Sequence, residues 1–584
     1  MNSFFKFFFA SLLSLLVFAL VGILILLGII SSLATPAKEH IDDKAVLVLD
    51  LSTSFMERAV ENPLGGLGGN DQFDIPSLYD VVRIICQAEK DSSIKGIYIK
   101  CGTNLNGFGS SEDIRNALLH FKTSKKFIYA YADVITQGGY YVANIADKIY
   151  CNPRGGLDWR GYSMNMIYLK GTLEKLGIEP QIFYAGKFKS ATEPFRESKM
   201  SDANRIQTTE ILKDLYNHFL IQSAKARNLD TALLRMCATE HRLRIPADAV
   251  KYGLLDGLKY DDEVNDEIAG LLKLGKYEKI NFVPIAKFAK AVAFKRIGKD
   301  KIAILYAEGD IIDGKGERDR IGSESYMNLI RKVRLDKTIK AIVFRINSGG
   351  GSAMASENIW RELSLARKEK PVILSFGDVS ASGGYYLSCN ADSIFAQPNT
   401  ITGSIGVFSM LPNMQRFFNE KLGVTFDGVK TSPDADALSI SKPLTESQRR
   451  WLQNDVDSIY LTFTSRVAEG RKKSIMYIDS IGQGRIWSGS KALELGLIDR
   501  IGGLQDAIDC AARMAKVKDY KLREYPEPEN IIEKILGSFG NNAKASAVKE
   551  ELGADGIKIY EAIKKVKHMS VTAQARLPFD FVIE

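Results

Sequence analysis

The chain has 584 residues, 45% apolar and 25% charged, with a net charge of +8 from 78 Lys and Arg against 70 Asp and Glu. This length and composition exclude a disordered, collagen-like or disulfide-stapled chain and leave room for a large core. The positive charges are dispersed, and no basic stripe with interleaved aromatics marks a nucleic-acid partner.

At the N-terminus, the residues from 7 to 33 (FFFASLLSLLVFALVGILILLGIISSL) are almost wholly apolar, and the next charged residue after Lys6 is Lys38. About 20 such residues span a bilayer, whereas a cleavable signal carries an apolar run of about 7–15. The sequence therefore predicts an uncleaved membrane anchor in residues 1–40, with a helix over about 7–33. Lys6 on one side and Lys38 and Lys44 on the other leave its orientation open.

Beyond the anchor the chain repeats itself. Residues 91–153 align without a gap onto 336–398, a shift of 245, with 20 identities in 63 positions. DVITQGGYYVANIADKIYCNP and DVSASGGYYLSCNADSIFAQP carry the match most clearly. The prediction is two copies of one unit, 41–285 and 286–520, followed by a tail, 521–584, with helical patches over 531–567. Within each copy, apolar runs (KAVLVLDL, KGIYIK and KFIYAYA; KIAILYA, KAIVFRI and PVILSF) read as buried strands. Amphipathic stretches such as SENIWRELSLARKEK read as helices between them. That alternation predicts α/β units with parallel sheets and right-handed crossovers. The loop NPLGGLGGN at 62–70 and the turn NSGGGS at 347–352 lack the Lys-Ser/Thr of a phosphate loop.

A duplicated fold keeps in both copies what packing needs, so differences in loops after strands mark candidate chemistry. Ser382 stands opposite Gln137, in a Gly-bearing turn after the strand PVILSF. It is either an exposed nucleophile or an N-cap. RINSGGGS stands opposite KCGTNLNG, with Gly350 facing Leu105. Its glycines suit either an oxyanion loop or a plain turn. Ser404 stands opposite Trp159, as a hydroxyl that orients a base or as a turn serine.

A nucleophile needs a base. Only five His occur, none between 242 and 567, so the second copy cannot hold a triad of its own. His120 and His218 fall in helical patterns of the first copy. A desolvated Lys is the available base. The first copy offers GKFKSA at 186–191, where the second has Asp and Ala opposite Lys189. One copy thus carries Lys without Ser and the other Ser without Lys, which builds one site from two halves. The six Cys lie in unrelated contexts without a CxxC pair and read as buried free thiols. No ligand cluster argues for a metal, and the chemistry needs no cofactor.

At these residues the chain resembles the bacterial signal peptide peptidases (protease IV, long duplicated SppA type), a Ser/Lys peptidase family. YAGKFKSATEPF, DVSASGGYY, TGSIGV, RINSGGGS and the GRIWSG…LGLIDRIGG ending carry the likeness, which covers nearly the whole chain. The resemblance implies Ser382 as nucleophile, Lys189 rather than Lys187 as general base, and Ser404 as the residue holding that lysine. It implies the backbone N–H groups of Gly350 and Gly383 as oxyanion donors. Gly349 stands where the family usually has Pro. The resemblance further implies two tandem Clp protease/crotonase-like domains and a dome-shaped homo-oligomer, a tetrameric ring. It implies a body facing the periplasm from the inner membrane, and signal peptides or other short unfolded apolar peptides as substrates. Two alternatives are a crotonase-type acyl-CoA enzyme, which predicts a Glu or Asp base near the oxyanion loop, and a non-catalytic membrane scaffold.

Overall fold

The computed structural model describes residues 2–33, 41–59, 75–292, 298–316, 320–527 and 573–577. The loop at 62–70 and the helical patches at 531–567 lie outside the described residues. A single helix, Asn2–Leu33, opens the chain. Its segment Phe4–Gly22 is apolar and long enough to cross a membrane, with none of it buried against the body.

The first half supplies strands β1 (Ala45–Asp50), β2 (Ile94–Lys100), β3 (Phe127–Ile135), β4 (Lys148–Leu157), β5 (Glu179–Ala185), β6 (Gly257–Leu258) and β7 (Asn281–Pro284). All but β5 form a parallel sheet in the order β6-β4-β3-β2-β1-β7. The second half supplies β8 (Asp300–Glu308), β9 (Asp310–Ile312), β10 (Arg320–Gly322), β11 (Ile339–Ser348), β12 (Gly350–Ser352), β13 (Val372–Ala381), β14 (Ser393–Ala396), β15 (Ile401–Gly403), β16 (Val407–Asn413), β17 (Ile486–Ser488), β18 (Arg500–Ile501) and β19 (Tyr520–Tyr525). Its main sheet runs β17-β15-β13-β11-β8-β19, with β14 between β13 and β18. The shift of 245 maps β2 onto β11, β3 onto β13, and the helix Phe108–Phe121 onto Ala353–Arg367.

The apolar runs become central strands because both faces are covered. The β11 residues Ile342, Val343, Phe344 and Ile346 are fully buried, as parallel strands between helical layers must be. Both halves extend past their predicted ends. The helix Ile285–Ala291 packs Ile285 and Phe288 into the first core, and β19 carries the second sheet to Tyr525. The last strand of each half, β7 or β19, pairs with the first strand of that half, closing an edge that would otherwise be unpaired.

A third sheet joins the halves, in the order β10-β9-β12-β20-β16-β5, where β20 (Gln574–Arg576) comes from the tail. β16 and β5 pair antiparallel over seven residues, Val407↔Ala185 to Asn413↔Glu179. This pairing ends where the Lys189 loop begins, so it sets that loop against the second half.

The seam also buries an ion cluster. Arg345, on β11 and 1% exposed, meets both carboxylate oxygens of Glu57 at 2.9 Å and Asp113 Oδ2 at 3.2 Å, both from the first half. It also donates to Ser375 Oγ (3.0 Å) and the Phe376 carbonyl (2.8 Å). Asp378 accepts from the Ser110 N–H and hydroxyl at 2.8 and 2.7 Å. The six Cys are free thiols, five of them buried.

Candidate active site

Ser382 lies at the end of β13 and caps the short helix Gly383–Ser388 with φ 54° and ψ −115°. A positive φ is costly for a residue with a Cβ and persists only where the surroundings hold it. Here the Ser382 N–H donates to the Gly403 carbonyl (2.8 Å), and the Tyr386 N–H donates to the Ser382 carbonyl (2.8 Å). Ser404, φ 51°, is held similarly by its N–H to the Arg485 carbonyl at 2.7 Å.

Lys189 arrives from the opposite half, four residues beyond β5. The second-half segment around Gln483 grips its loop: the Phe188 N–H donates to the Gln483 carbonyl (2.7 Å), and the Lys187 N–H donates to Gln483 Oε1 (3.1 Å). A Cβ on Gly484 would stand 2.6–2.7 Å from the backbone and Cβ of Lys189, so only glycine permits this approach. From the other side Gln207 donates to Ser190 Oγ (2.9 Å) and the Phe188 carbonyl (3.0 Å).

The outcome is a buried cluster of three side chains. Lys189 Nζ lies 2.8 Å from Ser382 Oγ, 3.1 Å from Ser404 Oγ and 3.4 Å from the Ser404 carbonyl oxygen. Lys189 is 1% exposed and both serines are fully buried. Among the described residues no carboxylate pairs with this amine. Burial alone holds the Lys189 amine well below its ordinary range, toward the neutral form. Lys187 is exposed, with its ammonium over the Phe188 ring.

The glycines expected to supply oxyanion donors lie beside Ser382. The Gly350 N–H donates to Ser348 Oγ (3.1 Å), whose hydroxyl donates to the Gly309 carbonyl (2.7 Å), so this donor is already used. Gly350 adopts φ +99°. A Cβ there would stand 2.7 Å from the Gly383 nitrogen, and one on Gly383 would stand 3.1 Å from the Gly351 nitrogen. Gly350, Gly351 and Gly383 thus approach one another closely beside Ser382.

The first-half counterparts are structural. Gln137 bonds both ways to Gly161 in the loop after β4, donating to its carbonyl (2.9 Å) and accepting from its N–H (2.8 Å). Trp159 packs against Tyr140 and Phe219 and donates to the Leu234 carbonyl. Leu105 is exposed. His218 bonds Glu112 and Tyr141, and His120 pairs with Glu89 at the surface.

Residues 120–275 and 364–518 match the profile of peptidase family S49. The chain belongs to that family. As an S49 peptidase it is 32% identical to Protease 4 of Salmonella typhi over 543 residues, covering 90% of this chain and 87% of the relative. It is 33% identical to Protease 4 of Haemophilus influenzae, covering 81% and 80% of the two chains. It is 31% identical to the chloroplastic serine protease SPPA of Arabidopsis thaliana, covering 80% and 70%. Among solved structures it is similar to a ClpP1 mutant from Listeria monocytogenes at 15% identity and a TM-score of 0.25, covering 35% of this chain and 94% of that one. An S49 serine peptidase is an enzyme of peptide hydrolysis, so the acyl-CoA and scaffold alternatives fall away.

Proposed function

We propose that this S49 peptidase is a membrane-anchored endopeptidase with Ser382 as nucleophile and Lys189 as general base. The observation that carries the reading is the 2.8 Å approach of the Lys189 amine to the Ser382 hydroxyl inside a buried pocket. A neutral amine has two N–H groups and one lone pair. Ser404 presents two acceptors to it, its Oγ and its carbonyl oxygen. With both N–H groups so engaged, the lone pair is left for the Ser382 O–H. Ser404 is therefore the positioning residue for the base.

In the reaction, Lys189 takes the proton as Ser382 Oγ attacks the scissile carbonyl carbon. The developing oxyanion is met by the Gly351 and Gly383 N–H groups. Lys189 then protonates the leaving amine, and water hydrolyses the ester. The substrates are signal peptides and other short, unfolded apolar peptides. Support comes from the membrane-proximal setting that an apolar helix at the N-terminus provides, and from the extended strand β20, which lies paired between β12 and β16 and shows that this place takes an extended chain.

The helix Asn2–Leu33 anchors the protein in the inner membrane, with the body on the periplasmic side. The body assembles as a tetrameric ring. Leu422, Val424, Phe426 and Val429 stand exposed on one segment of the second half and suit a contact between copies. The full chain in detergent micelles is expected to hydrolyse an apolar peptide ester and to lose that activity in Ser382→Ala. Its native mass is expected to be four chains, and a C-terminal reporter to be active only outside the cytoplasm. Hydrolysis that persists in Ser382→Ala would overturn the reading.

Ser404→Ala is expected to lower kcat about 10²-fold with KM little changed, the low end of what a well-placed proton-transfer group contributes. The ammonium form of Lys189 would lose one of three oxygen acceptors, so the acid limb of the pH–rate profile should move to lower pH. An unchanged kcat and profile would remove Ser404 from the site.

A further inference from the structure

The first sheet is entered through lysines. Lys148 opens β4, Lys125 and Lys126 precede β3, Lys95 is the second residue of β2, Lys44 precedes β1, and Lys279 stands two residues before β7. The strands β4, β3, β2, β1 and β7 are parallel neighbours in that order, so these lysines line one edge of the sheet. At about 4.8 Å per strand that edge is about 19 Å across. The segment before β7 adds Lys273 and Lys276, and the Lys44 ammonium donates to the Lys273 carbonyl at 3.3 Å. Lys44, Lys95, Lys125, Lys273, Lys276 and Lys279 are exposed.

The acids on this edge do not cancel them. With Lys122 beside the others, nine lysines stand against five acids, Asp42, Asp43, Asp91, Asp147 and Glu278. The strand exits carry matched pairs instead, Lys100 with Asp50 and Arg160 with Asp158. One aromatic ring stands among the entry lysines. Tyr277 is 90% exposed between Lys276 and Lys279, with the Lys276 ammonium 5.9 Å from its ring centre. Such a ring, apolar with a hydroxyl at its tip, suits the headgroup layer of a bilayer, where Tyr and Trp concentrate. The chain also arrives at this edge from the apolar helix. Leu33 ends that helix and Ala45 opens β1, so at most about 40 Å of chain joins them.

We propose that this lysine edge rests on the anionic phosphate headgroups of the bilayer that holds the anchor, with Tyr277 set into the headgroup layer. The inference rests on the anchor reading above. A negative membrane surface attracts lysines that come within about a Debye length, about 8–10 Å, and the short connection to the helix keeps this edge near it. The strands of the first sheet then rise away from the bilayer. Their exits lie about 20–33 Å further out, the length of the six residues of β1 to the ten of β4. The seam, where Glu57 beyond β1 meets Arg345, is thereby held off the membrane surface.

The test places the full chain in nanodiscs of phosphatidylcholine, alone or mixed with phosphatidylglycerol, with bromine near the headgroup end of the acyl chains as a quencher. Tyr277→Trp adds an emitter at an exposed position, read as the difference from the wild-type chain with its four Trp. In the mixed discs the added emission is expected to shift to the blue and to be quenched. Both effects should be lost in phosphatidylcholine alone and in mixed discs at high salt. Lys276→Glu with Lys279→Glu in the same background should lose them too, while hydrolysis of an apolar peptide ester stays at the wild-type rate and reports an intact fold. Unmoved emission from a chain that has entered the mixed discs would overturn the proposal and leave the anchor and peptidase readings standing. Equal quenching in phosphatidylcholine alone, or in the Lys→Glu variant, would overturn it as well. A chain that does not enter the discs would overturn the anchor reading and this proposal with it.

Discussion

Replacing Ser382 by Ala, or Lys189 by Met, is expected to lower kcat about 10⁴–10⁶-fold with the fold intact, because nucleophile and base act as a unit. For the same reason the double variant should be little worse than either single one. Lys189→Arg should be as inactive as Lys189→Met at every accessible pH, since a guanidinium does not give up its proton to become a base. The pH profile carries the sign of the effect. Burial holds the Lys189 amine below its ordinary 10.5, so activity should rise as Lys189 loses its proton, along a limb well below that of a free amine. Stability should follow the same group. Between the lowered folded pKa and 10.5 the unfolded chain binds more protons, so wild-type stability rises with pH across that window. Lys189→Met has no such slope and should be the more stable protein at neutral pH. Ester hydrolysis and thermal unfolding across pH check both points. Near-normal turnover in either single variant would end the dyad assignment.

Arg345→Ala is expected to destabilise the protein by about 3–5 kcal/mol, the cost of leaving buried carboxylates without their cation. Glu57 and Asp113 reach Arg345 from the other half, so the loss should appear as a loosening of the seam. Burial already pushes the Glu57 carboxyl up to about 7 despite Arg345. A carboxyl whose folded pKa is raised holds its proton more tightly when folded, so its contribution to stability falls as pH rises from about 4.5 to about 7. In Arg345→Ala both acids should shift further in that direction, so the deficit should shrink at pH 5 and grow at pH 8. Replacing Arg345 by Met together with Glu57→Gln and Asp113→Asn should recover much of the loss. Equal deficits at pH 5 and pH 8 would show that lost packing, rather than stranded charge, is the cause.

The duplication explains why so much of the site was readable in one sequence. Each half serves as the other's reference, and Ser382 against Gln137, or Ser404 against Trp159, stands out because packing tolerates both. A lysine base was legible for a different reason, the lack of histidine in the second half, and the choice of Lys189 over Lys187 came from the family resemblance. That the Gly350 N–H points to Ser348 Oγ was not legible, because it is a detail of φ angles that three consecutive glycines leave open. The third sheet was not legible either. β12 and β20 are three residues each, too short for a period-2 signal, and their register is set by partners more than 200 positions away. The first half runs past 285 because the helix Ile285–Ala291 packs onto its core, and the second past 520 because β19, an edge strand with little apolar content, adds to its sheet.

The split of the dyad also orders events during synthesis. Lys189 and Ser382 are 193 positions apart. At about 5–20 residues per second the ribosome supplies the hydroxyl about 10–40 s after the amine, and β20 after a similar interval again. The growing chain therefore carries the amine for that whole interval before it holds both groups of the proposed site. A truncated product that stops anywhere before residue 382 lacks the serine altogether.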